Sequence, residues 1–469
     1  MHRSKKVNRK KTKKSPKRKR RGLTALSRIH PQVAGIDLGS REHWVCAPEV
    51  SEGTPNVRTF GTTMPQLQQL AEWLLEQGVE SVAMESTNVY WIPLYELLES
   101  CGIEVLLVNA RQLRHVPGRK TDMRDCQWIQ LLHSCGLLRG SFRPHEAIVG
   151  IRALHRHLNN LVRESSRFVQ WMQKSLDQMN VQIHRAVTDL TGQTGMAIVR
   201  AIVAGERDPR RLAALRHGRC KKSSEEFAEY LSGNWREEHL FNLKSALEFY
   251  DMTQREIAAY EARILEEIRE LQPVERRDQP VPKHPNAIKE KAIRRRGGHN
   301  VRTELWRFAG VDLTRIDGIG AEAALTLLTE AGLDLTAFPS EKHFVSWLRL
   351  APKTAVSGGK PLPYKKRDGT GSTRVAGVLR MAAISLKHSK TALGAAFRRK
   401  ARHKGWSVAV FSMARRLAVL VYRMLRYGQD YIDIGEDLYE ARFRQRRLAG
   451  LTDAAKSLGF QLVPQVPTG

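Results

Sequence analysis

Val33-Ala34-Gly35-Ile36-Asp37 is apolar until the acid that closes it, and Gly39-Ser40 follows after one leucine. Apolar side chains on both sides of the pleat read as a strand buried on both faces, and the Gly-Ser pair ends it. Residues 43–47 and 57–60 read as the second and third strands of a meander. Residues 64–77 carry helical spacing through Leu67, Leu70, Trp73 and Leu74 until Gly78 stops it. Ser81-Val82-Ala83-Met84-Glu85 is a further buried strand that ends in an acid. A helix over 90–100 and a strand over 104–108 come next. Three strands, then helix, strand, helix, strand predict an α/β domain: a mixed sheet flanked by helices.

The next helix starts at Lys120-Thr121-Asp122-Met123-Arg124-Asp125, with Ile129, Leu131 and Leu132 as its apolar side. Thr121 is placed to cap it. Asp122 and Asp125 are three residues apart and share a face. One reading is ordinary: acids in a first turn complement the helix dipole. The other joins them to Asp37 and Glu85 at the strand ends. Four carboxylates converging there need compensating cations, and hard oxygen donors suit Mg²⁺ or Mn²⁺. A pair of such ions would clamp both oxygens of a phosphodiester displacement.

The charge balance points to the same class of partner. The chain holds 78 Lys and Arg against 48 Asp and Glu, a formal net charge of +30 over 469 residues. Thirteen of those cations lie in residues 1–21, which leaves +17 on the body. Such an excess on the body indicates a polyanion, nucleic acid first. The five cysteines are scattered without zinc-finger spacing and read as reduced thiols. No apolar run reaches the ~20 residues of a membrane span, and no apolar segment follows the basic N-terminus as a secretory signal requires.

The predicted organisation is a disordered basic arm (1–22), the α/β domain (30–145), a helical or coiled-coil region (146–272), a basic Pro-rich linker (273–303), a mostly helical domain (304–435) and a tail (436–469). Leu154, Leu158 and Leu161, then Leu265, Ile268 and Leu271, set the helical spacing of the middle region as long antiparallel helices. In the last domain, Asp317-Gly318-Ile319-Gly320 precedes an apolar helix. It reads either as an interhelix turn or as a hairpin whose amides meet DNA phosphate. Apolar helices are expected over 378–393 and 407–427.

A second chemical candidate is Ser357, in Val356-Ser357-Gly358-Gly359-Lys360 with Lys365-Lys366-Arg367 downstream. A serine among cations is placed to meet and attack a phosphate. Ser-Gly-Gly also reads as a plain turn, and Ser372 in Gly-Ser-Thr-Arg374 is the rival serine. His155 and His157, two apart on a helix, do not face one ion. The tryptophans, Trp44, Trp91, Trp128 and Trp171 among them, read as core.

Assembled, these residues resemble the DEDD transposases of bacterial insertion sequences, the bridge-RNA-guided serine recombinases. The likeness rests on residues 33–40 with Asp37, 82–87 with Glu85, and the K-T-D-x-x-D start at 120–125. Further on it rests on the Gly-Ile-Gly turn, Trp347-Leu348-Arg349-Leu350-Ala351-Pro352 before Ser357, residues 371–383 and the helix over 405–431. The resemblance implies a RuvC/RNase H-like first domain, a C-terminal serine transposase domain, and strand exchange of double-stranded DNA. It implies that Ser357 forms a phosphoserine link while Asp37, Glu85, Asp122 and Asp125 hold Mg²⁺. A guide RNA and a dimeric or tetrameric assembly would be partners, in a cytoplasmic, nucleoid-associated protein without a membrane. Gly318, Gly320, Lys360, Lys365, Lys366, Arg367 and Arg374 are the nucleic-acid contacts expected on this reading. The basic arm and the 273–303 insert depart from the compact members of that family. Two alternatives stay open: a metal-dependent junction nuclease that uses water, and a non-catalytic nucleic-acid scaffold.

Overall fold

The computed structural model describes residues 27–51, 54–86, 89–109, 122–286, 300–351, 356–357, 360–361 and 373–463, with backbone alone at 50, 122, 356, 357, 360 and 361. The basic arm, Thr121, Ser372, Lys365, Lys366 and Arg367 lie outside the described residues. The chain divides into two compact units, Met1–Arg143 and Pro144–Gly469.

The first unit is built on five strands: β1 (Val33–Leu38), β2 (Glu42–Ser51), β3 (Thr54–Gly61), β4 (Ser81–Glu85) and β5 (Glu104–Val108). Their order across the sheet is β3-β2-β1-β4-β5. The meander β1-β2-β3 is antiparallel, whereas β4 joins β1, and β5 joins β4, in parallel. Helices α1 (Met64–Glu76) and α2 (Trp91–Ser100) supply the parallel crossovers. The mixed sheet with flanking helices agrees with the sequence pattern.

Alternation along the strands sorts the two faces. Ala34 and Ile36 of β1 and Val82 and Met84 of β4 enter one core with Leu67, Leu70, Trp73 and Leu74 of α1 and Leu94 and Leu98 of α2. Val33, Gly35 and Asp37, and Ser81, Ala83 and Glu85, therefore belong to the other face. Helix α3 (Asp122–Ser134) covers that face.

The second unit begins with α4 (Glu146–Gln178), 33 residues long. Short helices follow: α5 (Ile183–Ala186), α6 (Gln193–Val203), α7 (Pro209–Ala214) and α8 (Ser224–Tyr230). Helix α9 (Glu237–Glu270), 34 residues, then returns along α4. The pairs Phe168–Phe249, Ser165–Gln254 and His157–Tyr260 make the two antiparallel. The short helices close over the far end around Met172, Leu176, Ile198, Phe227 and Leu243, a core of their own. The Ser223–Glu226 capping box fixes the start of α8.

Beyond this α4–α9 arm come α10 (Val301–Ala309), α11 (Ala321–Ala331), α12 (Glu341–Trp347), the strands β6 (Val356–Ser357) and β7 (Lys360–Pro361), α13 (Arg374–Ser385), α14 (Ala392–Lys404), α15 (Trp406–Tyr427) and α16 (Glu436–Ser457). Three departures from the sequence reading have local causes. Val301 to Thr303, expected in the linker, form the first turn of α10, and Asn300 caps it. The expected helix over 378–393 is two helices, parted where Thr391 caps α14. The expected tail starts as α16, tied to α14 by the ion pairs Arg398–Glu436 and Arg399–Glu440. Among the described residues no helix is long and apolar enough to cross a membrane.

Candidate functional site

Parallel register decides where the strand-end acids lie. Gly35 pairs with Ala83 and Ile36 with Met84, so Asp37 and Glu85 stand level at the carboxyl ends of adjacent strands. Both are half-buried and on the α3 face.

Helix α3 runs against β1. Its C-terminal end reaches the start of the sheet, where His133 Nε2 meets Ser81 Oγ at 2.9 Å and the Ser134 carbonyl accepts the amides of Ile29 and His30. Gln130 donates through Nε2 to the Val33 carbonyl at 3.3 Å. The first turn, with Asp122 and Asp125, consequently opens at the end where Asp37 and Glu85 lie. Gly35 permits the close approach: a Cβ there would stand 2.3 Å from the Gln130 nitrogen and 2.5 Å from the Cys126 carbonyl oxygen. A glycine inside a strand marks such an approach.

Burial governs the titration of the face beneath. It pushes the Cys126 thiol up to about 12, with the charges of Cys46 and Asp37 adding to it. It lowers His133 to about 4, helped by the charge of His30. Asp37 is thus within electrostatic reach of the residue that follows Asp125. Among the described residues no three His, Cys, Asp or Glu side chains are grouped closely enough to hold one ion, and the side chain of Asp122 lies outside that set. The acids at this end are all oxygen donors, which fits a hard divalent cation.

The serine candidate belongs to the other unit. Ser357 pairs with Lys360 across a two-stranded ladder. Gly318 has φ +85°, and a Cβ there would lie 2.4 Å from the Ala382 carbonyl, so packing against α13 requires glycine. Gly320 precedes the first residue of α11 with open space around its Cα. Arg374, expected to contact nucleic acid, has a protein partner: its Nε lies 3.6 Å from Glu330. His155 is buried against Thr329, with Nδ1 2.9 Å from the hydroxyl, and His157 packs on Tyr260. Trp44, Trp91 and Trp128 are half-buried, but Trp171 is 53% exposed, contrary to a core reading.

A transposase family model of the DEDD IS110 type matches residues 34–181. A second, described as "Transposase IS116/IS110/IS902 family", matches residues 311–398. The chain belongs to the IS110 transposase family. The first match takes in Asp37, Glu85, Asp122 and Asp125 and continues past α4; the second takes in Gly318, Ser357 and Arg374. An uncharacterised protein of insertion element IS110 from Streptomyces coelicolor is 29% identical over 120 residues, 25% of this IS110-family chain. The alignment spans 29% of that relative's length.

Proposed function

We propose that this IS110-family chain is a DNA transposase that exchanges strands at the ends of its insertion element. Its first unit would be RuvC/RNase H-like, a reading that the β3-β2-β1-β4-β5 order with one antiparallel meander supports. The observation that carries the proposal is the shared end of the sheet: Asp37 and Glu85 level on adjacent parallel strands, with the first turn of α3 opening beside them.

Asp37, Glu85, Asp122 and Asp125 would hold Mg²⁺ or Mn²⁺, which when bound supplies charge neutralisation at the phosphodiester oxygens. Ser357 is the proposed nucleophile, by resemblance. Its Oγ forms a bond to phosphorus while the bond to one deoxyribose oxygen breaks. The proton from the serine hydroxyl ends, in the balance, on that departing oxygen. The phosphoserine conserves the bond energy, and the reverse attack by a new deoxyribose hydroxyl completes exchange. Guidance by an RNA and assembly of several subunits belong to the same reading. They fit a basic body in which base pairing, rather than side chains, selects the sequence.

Trapping tests it. The full-length protein is incubated with Mg²⁺ and duplexes carrying element ends and target, then resolved under denaturing conditions. The expected result is a protein–DNA adduct that Ser357→Ala abolishes and Asp125→Asn suppresses. Mg²⁺-dependent cleavage untouched by Ser357→Ala would replace this reading with a nuclease that uses water.

A further inference from the structure

The buried carboxylate of Glu330, on α11, is 7% exposed and attended by three guanidinium groups. Arg156 forks onto it, Nε to Oε1 at 2.8 Å and Nη2 to Oε2 at 2.7 Å. Arg152, one turn earlier on α4, donates from Nε to Oε2 at 3.1 Å. Arg374, the first residue of α13, brings its Nε to 3.6 Å from Oε1, ion-pair range without a hydrogen bond. Three positive charges therefore converge on one negative charge.

The surplus is what calls for a ligand. The surplus is one of charge: a carboxylate accepts up to about four hydrogen bonds but carries a single negative charge. Elsewhere in the unit Asp251, Asp312 and Glu341 each have one guanidinium in ion-pair range among the described residues, Arg200, Arg302 and Arg423. Here the guanidinium groups oppose one another: Arg374 is held below its ordinary value by burial and by Arg156, and Arg163 adds to the crowding. Crowded like charges lower the cost of taking up a second anion. The side chains of Arg152, Arg156 and Arg374 stay 22%, 39% and 43% exposed, so that anion can arrive from solvent. Several guanidinium forks suit a phosphate, which offers more oxygens than a carboxylate.

We propose that Arg152, Arg156 and Arg374 form a phosphate site that grips the backbone of duplex DNA, with Glu330 as the internal anion that holds the three guanidinium groups in place. The choice of DNA rests on the transposase reading above. The site assigns α4, the base of the arm, and α13 to one backbone contact.

Its test is the salt dependence of binding. A labelled DNA duplex is titrated with the full-length protein between about 50 and 200 mM salt, where each phosphate contact contributes roughly 0.9 to the slope of log K against log salt. Arg374→Gln and Arg152→Gln, which leave the Arg156 fork intact, are each expected to weaken binding several-fold and to lower the slope by about one contact. Arg374→Lys is expected to recover the slope, and thermal melts check that the variants fold. Unchanged slopes in both folded Gln variants overturn the site. A loss seen with an RNA duplex and absent with DNA overturns the assignment to DNA. Ser357→Ala separates this from the catalytic proposal, since it is expected to keep affinity and slope while losing the adduct. Lost slope in Arg374→Gln without any wild-type adduct leaves the site standing and removes the serine mechanism.

Discussion

Gly35 and Gln130 meet backbone to backbone: a methyl group on the one would lie 2.3 Å from the amide nitrogen of the other. This contact sets how closely α3 lies on β1, and with it the level at which Asp125 stands relative to Asp37. No flexible side-chain end is available to give way, because the nearest atoms are all helix backbone.

Gly35→Ala is therefore expected to act as overpacking. Inserting a methyl into a packed contact costs typically about 1–3 kcal/mol, and here the helix itself must move. Urea denaturation should show that loss, together with reduced strand transfer in whatever protein remains folded. Stability within error of wild type would show that α3 is not seated as described.

Arg302 and Asp312 supply a second expectation. The pair is 3% and 5% exposed, 2.7 Å apart, and Asp312 also accepts from the Thr314 amide at 3.0 Å. Arg302→Met leaves a buried carboxylate without its cation, a change that costs about 3–5 kcal/mol. Chemical denaturation should show a larger loss than for Arg423→Met, whose partner Glu341 is solvent-exposed enough to rehydrate.

Acid should weaken the first unit through its buried histidines. Burial lowers His133 from an ordinary 6.5 to about 4. An imidazole whose pKa falls on folding favours the native state while neutral. Its contribution is complete above about pH 6.5 and is lost as pH falls toward 4, roughly 2 kcal/mol after solvent screening. His43, lowered by burial, acts in the same direction. Melting curves from pH 7 to 5 should fall for wild type and flatten in His133→Gln; parallel curves would remove the histidine from the account.

How much of this was legible beforehand depended on the range of the interaction. Residues 81–85 and 104–108 were readable as strands because each is a short apolar run with clear ends, a purely local signal. Gly35 also carried a signal, a glycine inside a buried strand, but its counterpart Gln130 lies 95 positions away. Glu330, Arg152 and Arg156 look like ordinary surface charges along their helices; their meeting spans 174 to 178 positions. For the same reason the pairing of Arg374 with Glu330 could not be read from the sequence around Arg374. Helix α16 was missed because it buries no side chain, so no apolar stripe marks it. The four acids were picked out by type and by their place at element ends; the level of Asp37 with Glu85 follows from the parallel register of β1 and β4, which no local pattern carries.

Thiol chemistry offers a check on the face beneath α3. Burial raises Cys46 and Cys126 to about 12, so both stay protonated and covered at neutral pH. Cys101 and Cys220 are more accessible. In native protein an aromatic disulfide reagent should consume the latter pair first and reach Cys46 and Cys126 on the timescale of unfolding. Rapid labelling of Cys126 would mean that α3 lifts readily.

The arm's separate far-end core also sets an order of assembly. Its residues lie within the stretch 172–247, whereas the rungs nearer the base join residues as distant as Gly150 and Glu267. Closing the inner loop first leaves little chain entropy to lose at each later rung, so α4 and α9 are expected to zip from the tip toward the base. Truncating Phe227 or Leu243 should then slow refolding, while truncating Ile264 should mainly hasten unfolding. The part of the arm farthest from the rest of its unit would be the part that folds first.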